Sequence, residues 1–393
     1  MNSATDQQIQ TENSSEPIRV LVLRAVDGAG GGADQIILRN AVHVSPQIQM
    51  RLCFLRHQDD AEFDFDVRAN KLGLDYTEIL HRGPFDLQVL SKLADVIQTF
   101  QPQVVHSHEY KVNYLNWRLS QRLQFATLAT SHGWTGESIR ERYFYYPADK
   151  WILRSFDHVL AVSDQIRNEL RRWQVAPDKV DVILNAIDPQ EYVASQSVRT
   201  KMRTQLNVDD DTILLGAVGR LERQKRFDIL IDTFAQHLSN RPNLRLMIAG
   251  EGSLKAKLQQ QIVRLGLTNR CQLLGHRSDI RDLYQAFDVL VQSSDYEGTP
   301  TVVVEAMALQ VPVVATDAGG TAQLLQHKMQ GLIVPKRDPV ALADAIRQTI
   351  DQPEITQRRI QAARTHVQQH LTYAVRTQQL EAVYRRLAAR KSE

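Results

Sequence analysis

Two glutamates with seven residues between them, Glu297 and Glu305, bracket a stretch suited to holding phosphate and hydroxyl groups together. Residues 288–293 form a short apolar run of the kind buried in a parallel sheet. After a turn through Gly298, Thr299 suits an N-cap and Pro300 the first helical position, where its missing N–H costs nothing. The unpaired amides of that helix start, near Thr301 and Val302, form a site for an anion. Carboxylates repel phosphate, so Glu297 and Glu305 are expected to hold hydroxyls. Phosphate and hydroxyls at one helix start describe a sugar nucleotide.

A second basic segment follows an apolar run at 212–218. Arg220 and Lys225 flank one loop, so both can reach a diphosphate, Arg through a planar fork and Lys as a point charge. Near the other end of the chain, Gly28, Gly30 and Ala33 satisfy a dinucleotide fingerprint, with Asp59 or Asp60 as its ribose acid. The same loop also reads as a phosphate turn or a plain tight turn. His106, His108 and Glu109 crowd one strand end, but no third-ligand motif accompanies them, and no metal is expected. Glu251, His276 and Arg277 lie beside glycines at two strand ends, either bordering a nucleoside base or simply in turns.

The stretch from Asp295 to Ala308, with Glu-Gly opening the E-x7-E spacing and Glu-Ala-Met-Ala closing it, resembles the signature of the retaining family 4 glycosyltransferases. The resemblance implies an α/β GT-B fold, two Rossmann-like parallel-sheet domains facing across a cleft. It implies a retaining transfer from a nucleotide-diphosphate sugar to a saccharide or lipid-linked acceptor, in polysaccharide or glycoconjugate biosynthesis, without cofactor or essential metal. Arg220 and Lys225 match the family's phosphate-holding pair, and His132 matches a histidine near the donor sugar. Gly31 and Gly32, followed by Asp34, match a Gly-Gly-x-acidic turn near phosphate and acceptor, and His108 is an acceptor-side candidate. Gly319 and Gly320 match another turn, but Gln323 stands where the family usually carries an acid. The competing readings are an NAD(P)-dependent oxidoreductase built on the 28–33 loop and a sugar-nucleotide-binding protein without catalysis.

Positioning these residues requires alternating strands and helices, which imply parallel sheets covered on both faces. The series pauses at 188–207 and restarts at 212. The expected division is a disordered tail at 1–16, an acceptor-side domain at 17–195, a donor-binding domain at 196–370, and a final helix at 371–393 that in the resembled family crosses back. At 393 residues the chain is long enough for two cores. A net charge of only +2 gives no global field for nucleic acid, so no nucleic-acid partner is expected. Cys53 and Cys271 read as buried thiols of a reducing compartment. The polar start carries no export signal, and a cytoplasmic location is expected, with peripheral contact at the inner membrane face. Residues 138–156 mix arginines with tyrosine, phenylalanine and tryptophan, a composition suited to a membrane surface or to a core lined by solvated basics.

Overall fold

The computed structural model describes residues 16–390 apart from 27, 29, 84, 85, 87 and 135–137. Of the polar tail expected at 1–16, all but Glu16 lie outside the described residues. The first sheet is built from β1 (Ile18–Val26), β2 (Ile48–His57), β3 (Asp75–His81), β4 (Val104–Ser107), β5 (Ala126–Ser131), β6 (His158–Ala161) and β7 (Val180–Val182). All pair in parallel, in the order β3-β2-β1-β4-β5-β6-β7. The second sheet contains β8 (Ile213–Val218), β9 (Leu244–Ala249), β10 (Cys271–Gly275), β11 (Val289–Gln292), β12 (Val313–Thr316) and β13 (Leu332–Val334). It too is parallel, in the order β10-β9-β8-β11-β12-β13.

In both sheets the strand order reverses beside the first strand, and ligands of such folds collect at the carboxyl ends of the strands there. Those ends carry His108 and His132 in the first sheet, and Arg220 and Glu297 in the second.

Alternation along β1 explains how the first sheet is covered. Val20 and Val22 face a core that includes Leu380, Val383, Tyr384 and Leu387 of the final helix, Tyr373–Arg390. Leu21 and Leu23 face the opposite core, packed on Leu93 and Ile97 of helix Gln88–Phe100. Arg376 of the final helix is buried and donates to the Ile183 carbonyl at 3.1 Å and to Asn40 Oδ1 at 3.2 Å. It also donates to the Leu184 carbonyl, so one guanidinium ties that helix to the chain leaving β7.

The polar stretch at 188–207 contains a helix, Gln196–Gln205, that the pattern of apolar residues does not announce. Only Met202 supplies a buried apolar side chain within it; Arg199 and Arg203 anchor it by clamping Asp288 at 2.5 and 3.1 Å. Both cysteines are buried free thiols, and burial pushes each up to about 12. Among the described residues no helix is long and apolar enough to cross a membrane.

Candidate active site

The loop after β8 and the loop after β11 are zipped together. Gln224 Nε2 donates to the Tyr296 carbonyl at 2.7 Å, the Gln224 carbonyl accepts from Asp295 N at 2.9 Å, and Ser293 Oγ donates to the Lys225 carbonyl at 2.8 Å. The Lys225 stem packs directly on Gly219, where a Cβ would lie 3.0 Å from Lys225 Cε, and the backbone there has φ 155°. The result is an ion pair: Lys225 Nζ sits 2.7 Å from Glu297 Oε1, which also accepts from Ser294 Oγ at 2.6 Å. Both charged side chains are largely buried. Two residues expected to meet the donor separately therefore meet each other. Arg220 is exposed, as is Arg223, but Arg226 is not the surface residue its place in a basic run suggests. It pairs with Asp228 at 3.1 Å and Asp295 at 3.4 Å.

The helix begins one residue later than the capping pattern predicts. Pro300 occupies the cap, and Thr301–Ala308 is the helix. Thr299 does not cap; its hydroxyl donates to the Val162 carbonyl beyond β6 and lies 3.5 Å from Asn185 N. A carbonyl left unpaired at a strand end has captured the hydroxyl that a helix start would otherwise use. Gly320 packs so closely on the carbonyl of Gly298 that a Cβ would lie 1.7 Å from it, and its amide donates to the Glu297 carbonyl at 3.2 Å. Gln323 accepts from Asp164 N and donates to Asp164 Oδ2, both at 2.6 Å, so the residue replacing the family's acid joins the two halves.

Glu305 is half-buried. Tyr284 donates to its Oε2 at 2.7 Å and Tyr192 to its Oε1 at 3.3 Å. Burial raises its carboxyl above the usual range, while the two phenols and Arg281 oppose that. Glu305 and Thr301 line a cavity of about 530 Å³ between the two halves, opposite Gly32, Gln35 and Arg39. Glu191 at its edge is gripped from both sides, by Arg39 at 2.6 Å and Arg281 at 2.5 Å. Tyr192, Tyr284, Arg39, Glu191 and Arg281 escaped the sequence reading because none belongs to a local motif. Val302 is half-buried against the core.

The residues beside the strand-end glycines are not those that line the cavity. Glu251 is exposed and paired with Lys255 at 2.8 Å, His276 is exposed, and Arg277 is paired with Asp279 at 2.5 Å. The wall is built one step further on, from Ser278 to Asp282.

On the facing sheet three imidazoles stand in a row. His106 Nδ1 lies 2.8 Å from the Tyr384 hydroxyl and its Nε2 2.7 Å from Thr130 Oγ1, so neither nitrogen is open to a ligand. His108 Nδ1 and His132 Nε2 share a hydrogen bond of 3.1 Å. Burial lowers all three, His106 to about 3, and keeps the rings neutral. In the glycine loop, Asp60 Oδ2 accepts from Gly28 N at 2.7 Å, and a Cβ on Gly30 would lie 2.6 Å from the Phe65 ring. Of the two acids a dinucleotide site could turn toward ribose, Asp60 is thus used to close the loop, while Asp59 stays exposed beside His57. Asp34 turns inward as well, accepting from Gly31 N at 2.7 Å and pairing with Arg24 at 2.6 Å.

A cleft between two parallel sheets, with a basic loop, an E-x7-E helix start and a half-buried carboxylate on its wall, defines a sugar-nucleotide transferase of GT-B architecture. The chain belongs to the family 4 glycosyltransferases: the family model for Glycosyltransferase Family 4 matches residues 31–191, and that for Glycosyl transferases group 1 matches residues 198–366. It is 28% identical over 327 residues to EpsD of Bacillus subtilis, assigned as a glycosyltransferase, covering 80% of this chain and 81% of that protein. Glycogen synthase of Mycobacterium tuberculosis is 26% identical over 350 residues, covering 86% and 80%. HepE of Anabaena, solved in complex with UDP-glucose, superposes with a TM-score of 0.81 at 23% identity, over 93% of this chain and 99% of that one. The enzyme is a glycosyltransferase.

Proposed function

We propose that the chain transfers a sugar, with retention at the anomeric carbon, from a UDP-sugar to a hydroxyl of a saccharide or lipid-linked acceptor in glycoconjugate biosynthesis. The observation that carries this is Glu305 and Thr301 together in the cavity wall, a hydroxyl-binding acid beside free helix amides. Arg220, Lys225 and the amides near Thr301 and Val302 stabilise the departing diphosphate, work that a metal does elsewhere, so no metal is required. Glu297 holds sugar hydroxyls from below and His132 holds the sugar from the facing sheet. Committed to Lys225 and Ser294, Glu297 suits that role better than attack on the anomeric carbon. The acceptor oxygen then bonds to that carbon on the face from which the phosphate leaves, and the leaving phosphate oxygen takes the acceptor's proton. Uridine is preferred among bases on the HepE likeness. The oxidoreductase reading loses support because both family models that match the chain are glycosyltransferase models and Asp60, one of its two candidate ribose acids, is spent on Gly28.

A thermal-shift screen of UDP-, GDP- and ADP-sugars beside NAD and NADP tests the reading. A ligand at a hundredfold its Kd stabilises the native state by about 2.7 kcal/mol. UDP-sugars are expected to raise the melting point without added metal; a rise with NAD or NADP and none with any sugar nucleotide would refute it.

The acceptor side is proposed to work at the cytoplasmic face of a membrane. The π-helical turn Glu141–Tyr145 leaves Tyr143 and Phe144 63% and 67% exposed, with Trp151 at 57%, so these aromatics are not core residues. Arg140, Arg142 and Arg154 are exposed among them. Basic groups with aromatic side chains suit an anionic headgroup layer. Sedimentation with phosphatidylserine vesicles is expected to carry the protein down at low salt. The triple substitution of Tyr143, Phe144 and Trp151 by serine should leave it in the supernatant; equal sedimentation of both proteins would remove this surface from the argument.

A further inference from the structure

Two helices begin at the cavity from opposite sides, Gly32–His43 and Thr301–Ala308, and both Gly32 and Thr301 line it. Glu305 lies about 6 Å along the second helix and Arg39 about 10 Å along the first. With the diphosphate at Thr301 and the ribose at Glu305, the room for the base lies beyond, where the lining is Ile280, Arg281, Glu191 and Arg39. Glu191 comes from the short turn Pro189–Glu191 on the chain joining the two halves. Its Oε1 meets Arg39 at 2.6 Å and its Oε2 meets Arg281 at 2.5 Å, so each oxygen is given to a different wall. Asp188 fixes the turn by accepting from Gln190 N at 2.9 Å. The Arg281 guanidinium also lies over the Tyr192 ring, 5.0 Å from its centre, and the Tyr192 hydroxyl reaches Glu305. One carboxylate thus ties the facing walls together at a set distance from the ribose-binding acid.

We propose that Arg39, Glu191 and Arg281 form a brace across the far end of the cavity that selects a pyrimidine over a purine nucleotide as donor, an inference that rests on the sugar-nucleotide reading above. A purine carries a second fused ring and reaches further from the ribose than a pyrimidine does. A pyrimidine stops short of the brace, whereas a purine enters only if Glu191 gives up one of its arginines. All three side chains are partly exposed, so breaking one pair costs little, and the brace discriminates by about tenfold instead of absolutely. The uridine preference then has a cause within this chain, apart from its likeness to HepE. Exposed ion pairs weaken with salt, so the discrimination should fall as ionic strength rises.

The test is calorimetry on the full chain with UDP, GDP and ADP, reading the ratio of affinities and not any one of them. Wild type should bind UDP about tenfold more tightly than either purine nucleotide, and less selectively at high salt. Glu191→Ala frees both arginines, which can then raise the affinity of every diphosphate alike, but the ratio of UDP to GDP should fall to about one and lose its salt dependence. Arg39→Met opens the brace from the other wall without adding a free charge and should lower the ratio in the same way. A merely structural role would weaken all three nucleotides together and leave the ratio where it was. An unchanged ratio in both variants would therefore overturn the brace, as would a wild type that prefers GDP or ADP. A wild type that binds no nucleotide at all would instead overturn the transferase reading beneath it.

Discussion

Lys225→Ala is expected to cost about 3 kcal/mol of stability as well as most of the turnover. The Glu297 carboxylate, 7% exposed, would be left with the Ser294 hydroxyl and no counter-charge, and an unpaired buried charge is far more expensive than a missing pair. The double variant Lys225→Met with Glu297→Gln removes both charges at once and should recover most of the loss. It should remain inactive, since it lacks both the positive charge at the diphosphate and the anion at the sugar. Urea denaturation of the single and double variants, with turnover measured alongside, separates the two effects. A Lys225→Ala protein as stable as the wild type would mean that the pair does not persist in solution. An active double variant would mean that neither residue serves the chemistry. Arg220 is exposed, so Arg220→Ala should weaken UDP binding while leaving stability alone.

The second large effect divides the two glutamates. Glu305→Gln keeps the shape of the side chain but loses one of two acceptor oxygens, both already used by Tyr284 and Tyr192. A ribose offering two hydroxyls to that site then meets a donor where it needs an acceptor. Affinity for bare UDP should fall about 10- to 100-fold, or ~1.4–2.7 kcal/mol. Glu297→Gln should bind bare UDP normally, because its partner is the sugar. Its contact strengthens as the sugar becomes cationic, so kcat should fall about 10²–10³-fold with little change in KM. Calorimetry with UDP and steady-state kinetics on both variants decide it. Matching defects in the two would overturn the division of labour, and wild-type behaviour in both would return the pair to ordinary helix-flanking acids. Glu305→Ala carries an added cost, since it leaves the Tyr284 hydroxyl buried without its acceptor, about 1–3 kcal/mol.

The sequence by itself determined the parallel-sheet architecture and the place of the donor signature. Both are local: strands such as Val104–Ser107, Ala126–Ser131 and Val289–Gln292 are apolar runs whose ends are marked by polar residues and turns, and E-x7-E lies within one loop and one helix. Composition also told that Cys53 and Cys271 are buried thiols, because both sit inside strand-forming apolar runs. What only the tertiary structure decided is which groups face one another. Thr299 had the residue type of a cap, yet a carbonyl beyond β6 took its hydroxyl, and no local pattern encodes that approach. Asp60 and Asp34 had the chemistry of ligand-binding acids, but the fold turned them onto Gly28, Gly31 and Arg24. Tyr192, Tyr284 and Arg281 gathered at Glu305 from separate elements, and Gln323 met Asp164 from the other sheet. Periodicity and capping report contacts a few residues apart along the chain. A site assembled where two sheets meet is fixed by packing between distant segments, and there the same side chain can serve a ligand or the fold.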